Sequence, residues 1–244
     1  MPTGKQRGDV FVLIPGAGGM AWYWHRVAPL LEQAHRDAIV IDLPGDDVNA
    51  GLDDYADIVV RAIGEQSNVI LVAQSLGGFT APLVCARVAV RMLVFVNAMI
   101  PRPGETAGAW WENTGAVGAR IAAAKAGGYS AEFDLPTYFL HDVPATVLRE
   151  GPSRPREQAE GVFKEPCRFE CWPQIPIHAI ASANDRFFPP PVFKDASPGT
   201  ASRRTWKCFR EATWSHSRIR KGLWIDCFAC KASYLKGGRS DSEY

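Results

Sequence analysis

The chain has 244 residues, of which 47% are hydrophobic and 22% charged, and its formal net charge is +1 at pH 7. This composition is typical of a soluble globular protein with one large core, and it gives no reason to expect a nucleic-acid or membrane partner. Six Cys in a chain of this length do not indicate a disulfide framework, and no apolar run is long enough to span a bilayer. With a polar N-terminal segment that lacks a signal-peptide pattern, the sequence predicts a cytoplasmic protein.

Apolar runs alternate with helical patterns in the first hundred residues. Residues 10–14, 38–41, 69–72 and 92–96 are almost entirely apolar and rich in β-branched side chains, which predicts buried strands. Helical patterns fill the intervals between them, at residues 22–32, 52–64 and 80–90. Strands that alternate with helices in this way predict a parallel sheet that is covered on both faces.

A serine follows the third strand, directly before a helical pattern. Ser75 has the small residues Ala73 and Gly77 two positions before and two positions after it. A strand, a tight turn that holds a Ser and a helix are the elements of a nucleophile elbow, where a strained backbone exposes the hydroxyl group. On this motif alone, an ordinary strand-to-helix turn with a surface Ser remains the alternative.

A glycine-rich loop follows the first strand. Its glycines, Gly16, Gly18 and Gly19, lack the G-x-G-x-x-G spacing of a dinucleotide-binding fold, and no Walker lysine follows them. The other use of such a loop is to direct backbone N–H groups at a developing oxyanion. Because parallel sheets bind ligands beyond the carboxyl ends of their strands, we expect this loop and Ser75 at the same edge.

The sequence pattern divides the chain into four parts. Residues 1–100 form the first half of an α/β core, and residues 101–173 hold apolar islands among Gly, Pro and charged residues that predict an inserted helical cap. Residues 174–190 return to a strand pattern and end in an acidic loop with Asp185. Residues 191–244 carry 11 Lys and Arg against 5 Asp and Glu, together with three of the six Cys, and are atypical.

The order of these motifs resembles the α/β-hydrolase fold superfamily. The nearest resemblance is to its small capped esterases, the branch that also holds plant methylesterases and hydroxynitrile lyases. It covers residues 10–190 and implies a mostly parallel sheet with helices on both faces and a small helical cap. The residues that carry it are the Pro15-Gly16-Ala17 loop, Trp24, the Asp42-Leu43-Pro44-Gly45 turn, the Ser75 elbow and the Asp185-Arg186-Phe187-Phe188-Pro189 loop.

The resemblance also implies roles for particular residues. Ser75 would be the nucleophile and Asp185 the acid that orients a His, in the chain order Ser, Asp, His. The backbone N–H groups of Ala17 and Leu76 would form the oxyanion hole. It implies no metal and no organic cofactor. The substrate pocket would include Gly16, Trp110, Trp111 and Tyr138, although core packing is an equal interpretation of each aromatic residue.

The catalytic His of the triad cannot be assigned from a matching motif. A Gly-Gly-His-Leu-like loop is expected 25–35 residues after the acid, and only His216 lies at that distance, in an unrelated sequence context. One hypothesis is that the segment after about residue 190 is translated out of frame. A neighbouring frame can encode Gly-Gly-His-Leu across Arg210–Trp214, which would place the His codon across Ala212 and Thr213. The alternatives are that His216 itself is the base, or that the tail is a basic binding segment.

The sequence therefore predicts a serine hydrolase that cleaves a small carboxylic ester through an acyl-enzyme. Two alternatives remain: a lyase or other non-hydrolytic reaction on the same fold, and a catalytically inactive hydrolase-fold protein that binds a ligand. The isolated pair Cys227 and Cys230 is too weak a signal to predict a metal site. The expected partner is a small-molecule ester, and the oligomeric state is not predicted.

Overall fold

A central parallel sheet organises the protein. The computed structural model describes residues 8–152, 155–193 and 204–209, the last six by their backbone alone. Within these ranges the sheet has six strands in the order β2-β1-β3-β4-β5-β6, and every neighbouring pair is parallel. The strands are β1 (Val10–Ile14), β2 (Asp37–Val40), β3 (Val69–Gln74), β4 (Met92–Val96), β5 (Ile177–Ser182) and β6 (Arg204–Phe209).

Helices connect the first four strands, as the alternating pattern predicts. A 3-10 helix (Ala21–Trp24) and α1 (Ala28–Gln33) follow β1, α2 (Leu52–Ile63) follows β2, and α3 (Gly77–Cys85) follows β3. The first predicted helix is thus divided into two pieces, with Pro29 in the first turn of the second piece. The third begins earlier than its apolar pattern indicates, because Gly77 and Gly78 already belong to α3.

Both faces of the central strands β1, β3 and β4 are buried, which explains why these strands are apolar throughout rather than alternating. On one face, Leu13 and Val72 pack with Trp24 and Leu31 from the segment after β1. On the other face, the intervening strand residues pack against α2 and α3 in a larger core. The four predicted strands are confirmed, whereas β2, at the edge of the sheet, is partly exposed rather than buried.

The inserted cap is built from short helices. They are α4 (Ala107–Asn113), α5 (Ala116–Gly127), α6 (Leu135–Tyr138), α7 (Ala145–Leu148) and α8 (Gly161–Lys164). Between α7 and α8, Gln158 ties the cap to the core: its side chain accepts from the N–H of Gly18 at 3.0 Å and donates to the carbonyl of Gly45 at 3.0 Å. The cap is therefore fastened to the loops that follow β1 and β2.

The strand β6 was not predicted from the sequence. It pairs with the whole length of β5, from Ile177 opposite Arg204 to Ser182 opposite Phe209. Its presence places six residues of the atypical C-terminal segment at the edge of the sheet. None of the helices in the described ranges combines the length and the apolarity that a bilayer crossing requires.

Candidate active site

The order of the strands places Ser75 and the glycine-rich loop together. The chain leaves β1 toward β2 on one side, whereas β3 pairs with β1 on the other side. The loops after β1 and β3 therefore diverge at a topological switch point, where open parallel sheets form a crevice. Gly16 and Ser75 both lie at the carboxyl ends of these two strands.

Ser75 has the backbone conformation that a nucleophile elbow requires. Its φ is 49°, in the left-handed region that non-glycine residues seldom adopt. Hydrogen bonds hold the turn, because the Ser75 carbonyl accepts from the N–H groups of Gly78 and Met99, both at 3.0 Å. The side chain is only partly buried, and its hydroxyl makes no hydrogen bond to any residue in the described ranges. Within the described ranges, the strained turn therefore leaves the hydroxyl free to engage a base and a substrate.

Three glycines allow the elbow to pack this closely. A Cβ on Gly16 would lie 2.8 Å from the Cβ of Ser75, and a Cβ on Gly77 would lie 2.5 Å from the carbonyl oxygen of Pro15. A Cβ on Gly78 would lie 1.9 Å from the carbonyl oxygen of Met99. Glycine is therefore required by close backbone approach at these positions, although none of the three has a positive φ.

Two backbone N–H groups beside Ser75 are available to a ligand. In the described part of the chain, neither the N–H of Ala17 nor that of Leu76 donates a hydrogen bond. Ala17 is exposed in the loop after β1, and Leu76 directly precedes α3. Two N–H groups further along the same segments are engaged, since Gly18 donates to Gln158 and Gly78 donates to Ser75. This is the pattern of uncommitted donors that an oxyanion hole needs.

Asp185 lies in the loop directly after β5, as the sequence predicts. Its Oδ1 accepts from the N–H groups of Phe187 and Phe188, each at 2.8 Å. Burial raises the pKa of Asp185 to about 6; the two N–H donors oppose this shift, whereas the carboxylate of Asp142 adds to it. A partly buried carboxylate with a strongly shifted pKa at the strand ends is a functional-site candidate.

The histidines in the described ranges do not complete a triad. His25 stacks on Trp22 with ring centroids 4.2 Å apart, and His35 is exposed after α1. His178 lies within β5, opposite Val94. The predicted base His216 lies outside the described residues, as do Ala212 and Thr213.

His141 lies beside the acid loop, a position that the sequence did not reveal. Its Nε2 lies 3.8 Å from a carboxylate oxygen of Asp142, and it interacts with the backbone of Asn184. Burial lowers the pKa of His141, and the charge of Arg186 lowers it further, whereas Asp142 raises it. The cap therefore adds titratable groups to the surroundings of Asp185.

The aromatic residues assigned to a pocket differ in exposure. Trp110 and Tyr138 are only 1% and 2% exposed, and Trp110 packs on Phe188 with ring centroids 5.1 Å apart. Trp111 is partly exposed and contacts Phe187 at 5.3 Å. Trp110 and Tyr138 thus contribute to packing between the cap and the acid loop, and Trp111 is the one of the three with surface left to offer a ligand.

No metal site was expected. Among residues 8–152 and 155–192, no group of three or more His, Cys, Asp and Glu side chains is arranged to hold a metal ion. The three cysteines of this region are free thiols. Burial raises the pKa of Cys85 and of Cys167 to about 12, which makes both thiols poor nucleophiles.

The chain belongs to the alpha/beta hydrolase family, whose profile matches residues 11–216. Among curated proteins it is 33% identical over 111 residues to norfluorocurarine synthase 1 of a Strychnos species, a match that covers 41% of each chain. It is 33% identical over 103 residues to methylesterase 9 of Arabidopsis thaliana and 29% identical over 108 residues to its alpha-hydroxynitrile lyase. These matches span about two fifths of the relatives' own lengths.

Solved structures share the fold of this protein. A pyrethroid hydrolase from Sphingobium faniae JZ-2 superposes with a TM-score of 0.67 at 18% identity, covering 93% of this chain and 99% of that one. Polyneuridine aldehyde esterase superposes with a TM-score of 0.65 at 17% identity, covering 94% and 99%. At such identities the likeness shows the fold alone, so the α/β-hydrolase fold predicted from the sequence is confirmed.

Proposed function

We propose that this protein is a serine hydrolase that cleaves a small carboxylic ester through an acyl-enzyme. The observation that carries the proposal is the combination of Ser75 at a φ of 49° with the uncommitted N–H groups of Ala17 and Leu76 beside it. The esterases among the curated relatives, such as methylesterase 9 of Arabidopsis thaliana and polyneuridine aldehyde esterase of Rauvolfia serpentina, support this reaction class.

The reaction begins at the Ser75 hydroxyl. Its Oγ attacks the ester carbonyl carbon while a base removes the proton, because a neutral hydroxyl is a weak nucleophile. The N–H groups of Ala17 and Leu76 stabilise the negative charge that develops on the carbonyl oxygen. Collapse of the tetrahedral intermediate breaks the bond to the alcohol, which takes the proton from the base. Water then attacks the acyl-enzyme by the same route and releases the acid.

Asp185 orients the base and stabilises its protonated form. We assign the base to the segment beyond residue 209, either to His216 or to the His of a shifted frame. For His216, the strand β6 supports this assignment, because it pairs with β5, the strand that precedes the Asp185 loop. Parallel pairing also gives β5 and β6 the same carboxyl edge.

The first test is hydrolysis of p-nitrophenyl acetate by the chain and by Ser75→Ala. We expect turnover that Ser75→Ala abolishes, and labelling of Ser75 by a fluorophosphonate probe, which reacts only with activated serines. Ser67→Ala is the matched control, because Ser67 is an exposed serine just before the opposite end of β3. Equal turnover in the chain and in Ser75→Ala would contradict the proposal, as would labelling that Ser67→Ala removes.

Cyanohydrin cleavage is the second candidate reaction. It is favoured by the match to the alpha-hydroxynitrile lyase of Arabidopsis thaliana. The same Ser and base would then remove the hydroxyl proton of a cyanohydrin, and cyanide would leave as the carbonyl forms. Mandelonitrile assayed beside p-nitrophenyl acetate separates the two, since release of benzaldehyde without ester turnover identifies a lyase.

A further inference from the structure

Asn97 lies at the carboxyl end of β4, between the loops that carry Ser75 and Asp185. Its φ is 43°, in the left-handed region, where Asn is several-fold enriched because its short side chain bonds locally. The N–H of Asn97 donates to the carbonyl of Ile180 at 2.8 Å. Its side-chain Oδ1 accepts from the N–H of Ser182 at 2.7 Å. Asn97 therefore holds the end of β5 through both its backbone and its side chain.

Hydrogen bonds lead from this residue toward both Ser75 and Asp185. On one side, the N–H of Ser75 donates to the carbonyl of Val96 at 3.3 Å, and this carbonyl belongs to the peptide group that Val96 forms with Asn97. On the other side, the N–H of Asp185 donates to the carbonyl of Ser182 at 3.3 Å. Each end of the connection is a bond to the backbone of a predicted catalytic residue.

The side chain of Asn97 supplies the central bond of this connection. Ser182 is the last residue of β5 and is 8% exposed, so its N–H needs an acceptor in the protein. The ladder between β4 and β5 ends at the pair Val96 and Ile180, so the bond from the N–H of Ser182 to the Asn97 side chain takes the place of the next ladder bond. A change at Asn97 therefore alters how the loop with Asp185 is set against the elbow.

We propose that Asn97 is a positioning residue that sets the distance and orientation between Ser75 and Asp185. This rests on the proposed function, because Asp185 must hold a base in line with the Ser75 hydroxyl. Displacement of a catalytic group by about 1 Å can lower the rate about a hundredfold, and such a displacement acts on the chemical step more than on substrate binding. Nothing in the sequence singles out Asn97, because its role depends on its φ and on contacts with β5.

Asn97→Gly tests the proposal, because glycine accepts a positive φ but has no Oδ1. We expect kcat to fall about tenfold or more while KM changes less than about twofold. Asn97→Asp keeps both the left-handed conformation and an acceptor oxygen, so it restores most of the kcat when each variant is compared at its pH optimum. Asn68→Gly is the matched control, since Asn68 also has a positive φ (59°) but precedes β3 at the opposite edge of the sheet.

The rate of amide hydrogen exchange at Ser182, measured by NMR, tests this hydrogen-bond connection independently of catalytic activity. We expect faster exchange in Asn97→Gly than in the unaltered chain, and slow exchange in Asn97→Asp and Asn68→Gly. An unchanged kcat in Asn97→Gly overturns the proposal, as does an equal loss in Asn97→Asp. If the unaltered chain shows no Ser75-dependent turnover, the proposed function is wrong. If Ser182 exchanges at the same rate in Asn97→Gly as in the unaltered chain, the positioning role of Asn97 is wrong, whatever the activity.

Discussion

Gly16 lies against the side chain of Ser75, so close that a Cβ at residue 16 would be 2.8 Å from the Cβ and 3.3 Å from the Oγ of the serine. A methyl group there must displace the elbow or the loop that carries Ala17. We therefore expect Gly16→Ala to lower kcat/KM for p-nitrophenyl acetate about ten- to a hundredfold, by moving the nucleophile relative to its oxyanion donors.

Gly118→Ala is the control for this substitution. Gly118 lies in α5, where an added Cβ meets nothing within 4 Å. Alanine is favoured over glycine inside a helix, so this variant should gain up to about 1 kcal/mol in the free energy of unfolding and keep its kinetics. If Gly16→Ala were as active as Gly118→Ala, Gly16 would have no part in shaping the site.

The contrast between Ser75 and Asn97 shows what the sequence could predict. Ser75 has a local signature, because an apolar strand, small neighbours and a helical pattern are all visible within about ten residues. Asp185 is likewise visible as an acidic residue after a resumed strand. The role of Asn97 depends on a backbone angle and on a contact across 85 positions of sequence, to Ser182. Long-range contacts of this kind leave no periodic pattern.

The aromatic cap residues illustrate a second limit. Trp110 and Trp111 are adjacent in the sequence and identical in type, yet Trp110 is buried in the core and Trp111 is partly exposed. Composition shows that such side chains require burial, but only the packing of α4 against Phe188 decides which one is enclosed. Pocket residues in the cap could therefore be predicted only as a class.

Arg186 attaches the acid loop to the cap, and this contact is open to a direct measurement. Its guanidinium lies 4.3 Å from the ring centroid of Tyr129, and its Nη1 donates to the carbonyl of Thr137 at 3.1 Å. A double-mutant cycle with Arg186→Met and Tyr129→Leu isolates the cation–π interaction, because the bond to Thr137 is lost in both backgrounds. We expect a coupling of about 0.5–1 kcal/mol in the free energy of unfolding.

A coupling of zero in this cycle would show that the ring contact does not hold the loop. Arg186→Met alone should still lower stability, through the bond to Thr137. Arg87→Met paired with Tyr129→Leu serves as the control cycle. Arg87 pairs with Asp53 and Asp57 of α2 and shares no contact partner with Tyr129 in the described ranges, so their coupling should be close to zero.

The raised pKa of Asp185 predicts a pH-dependent stability. Burial raises this pKa from 3.8 to about 6, so the folded chain binds the proton more tightly than the unfolded chain. The favourable contribution of the protonated carboxyl is complete below about pH 4 and is lost as the pH rises to about 6. Asp185→Asn does not titrate, so its stability relative to the unaltered chain should increase by up to about 3 kcal/mol over this interval and then remain constant.

Urea unfolding at pH 4, 5, 6 and 7 measures this difference. Asp142→Asn is the companion variant: the Asp142 carboxylate raises the pKa of folded Asp185, so its removal should lower the upper end of the interval. A stability difference that stays flat between pH 4 and 6 would mean that Asp185 ionises as readily in the folded chain as in the unfolded one.

The reading frame of the C-terminal segment gives the last prediction. The hypothesis of a shifted frame accounts for the excess of 11 Lys and Arg over 5 Asp and Glu in residues 191–244 and for the missing Gly-Gly-His-Leu loop. Sequencing the gene from the codon of Phe187 to that of Thr213 should show a missing or extra base near the run Pro189–Pro191. A chain with the frame restored should hydrolyse p-nitrophenyl acetate at least about a hundredfold faster, because the triad base is then supplied. If the frame is confirmed as it stands and the chain is active, His216→Ala should abolish turnover, since His216 is then the remaining candidate for the base.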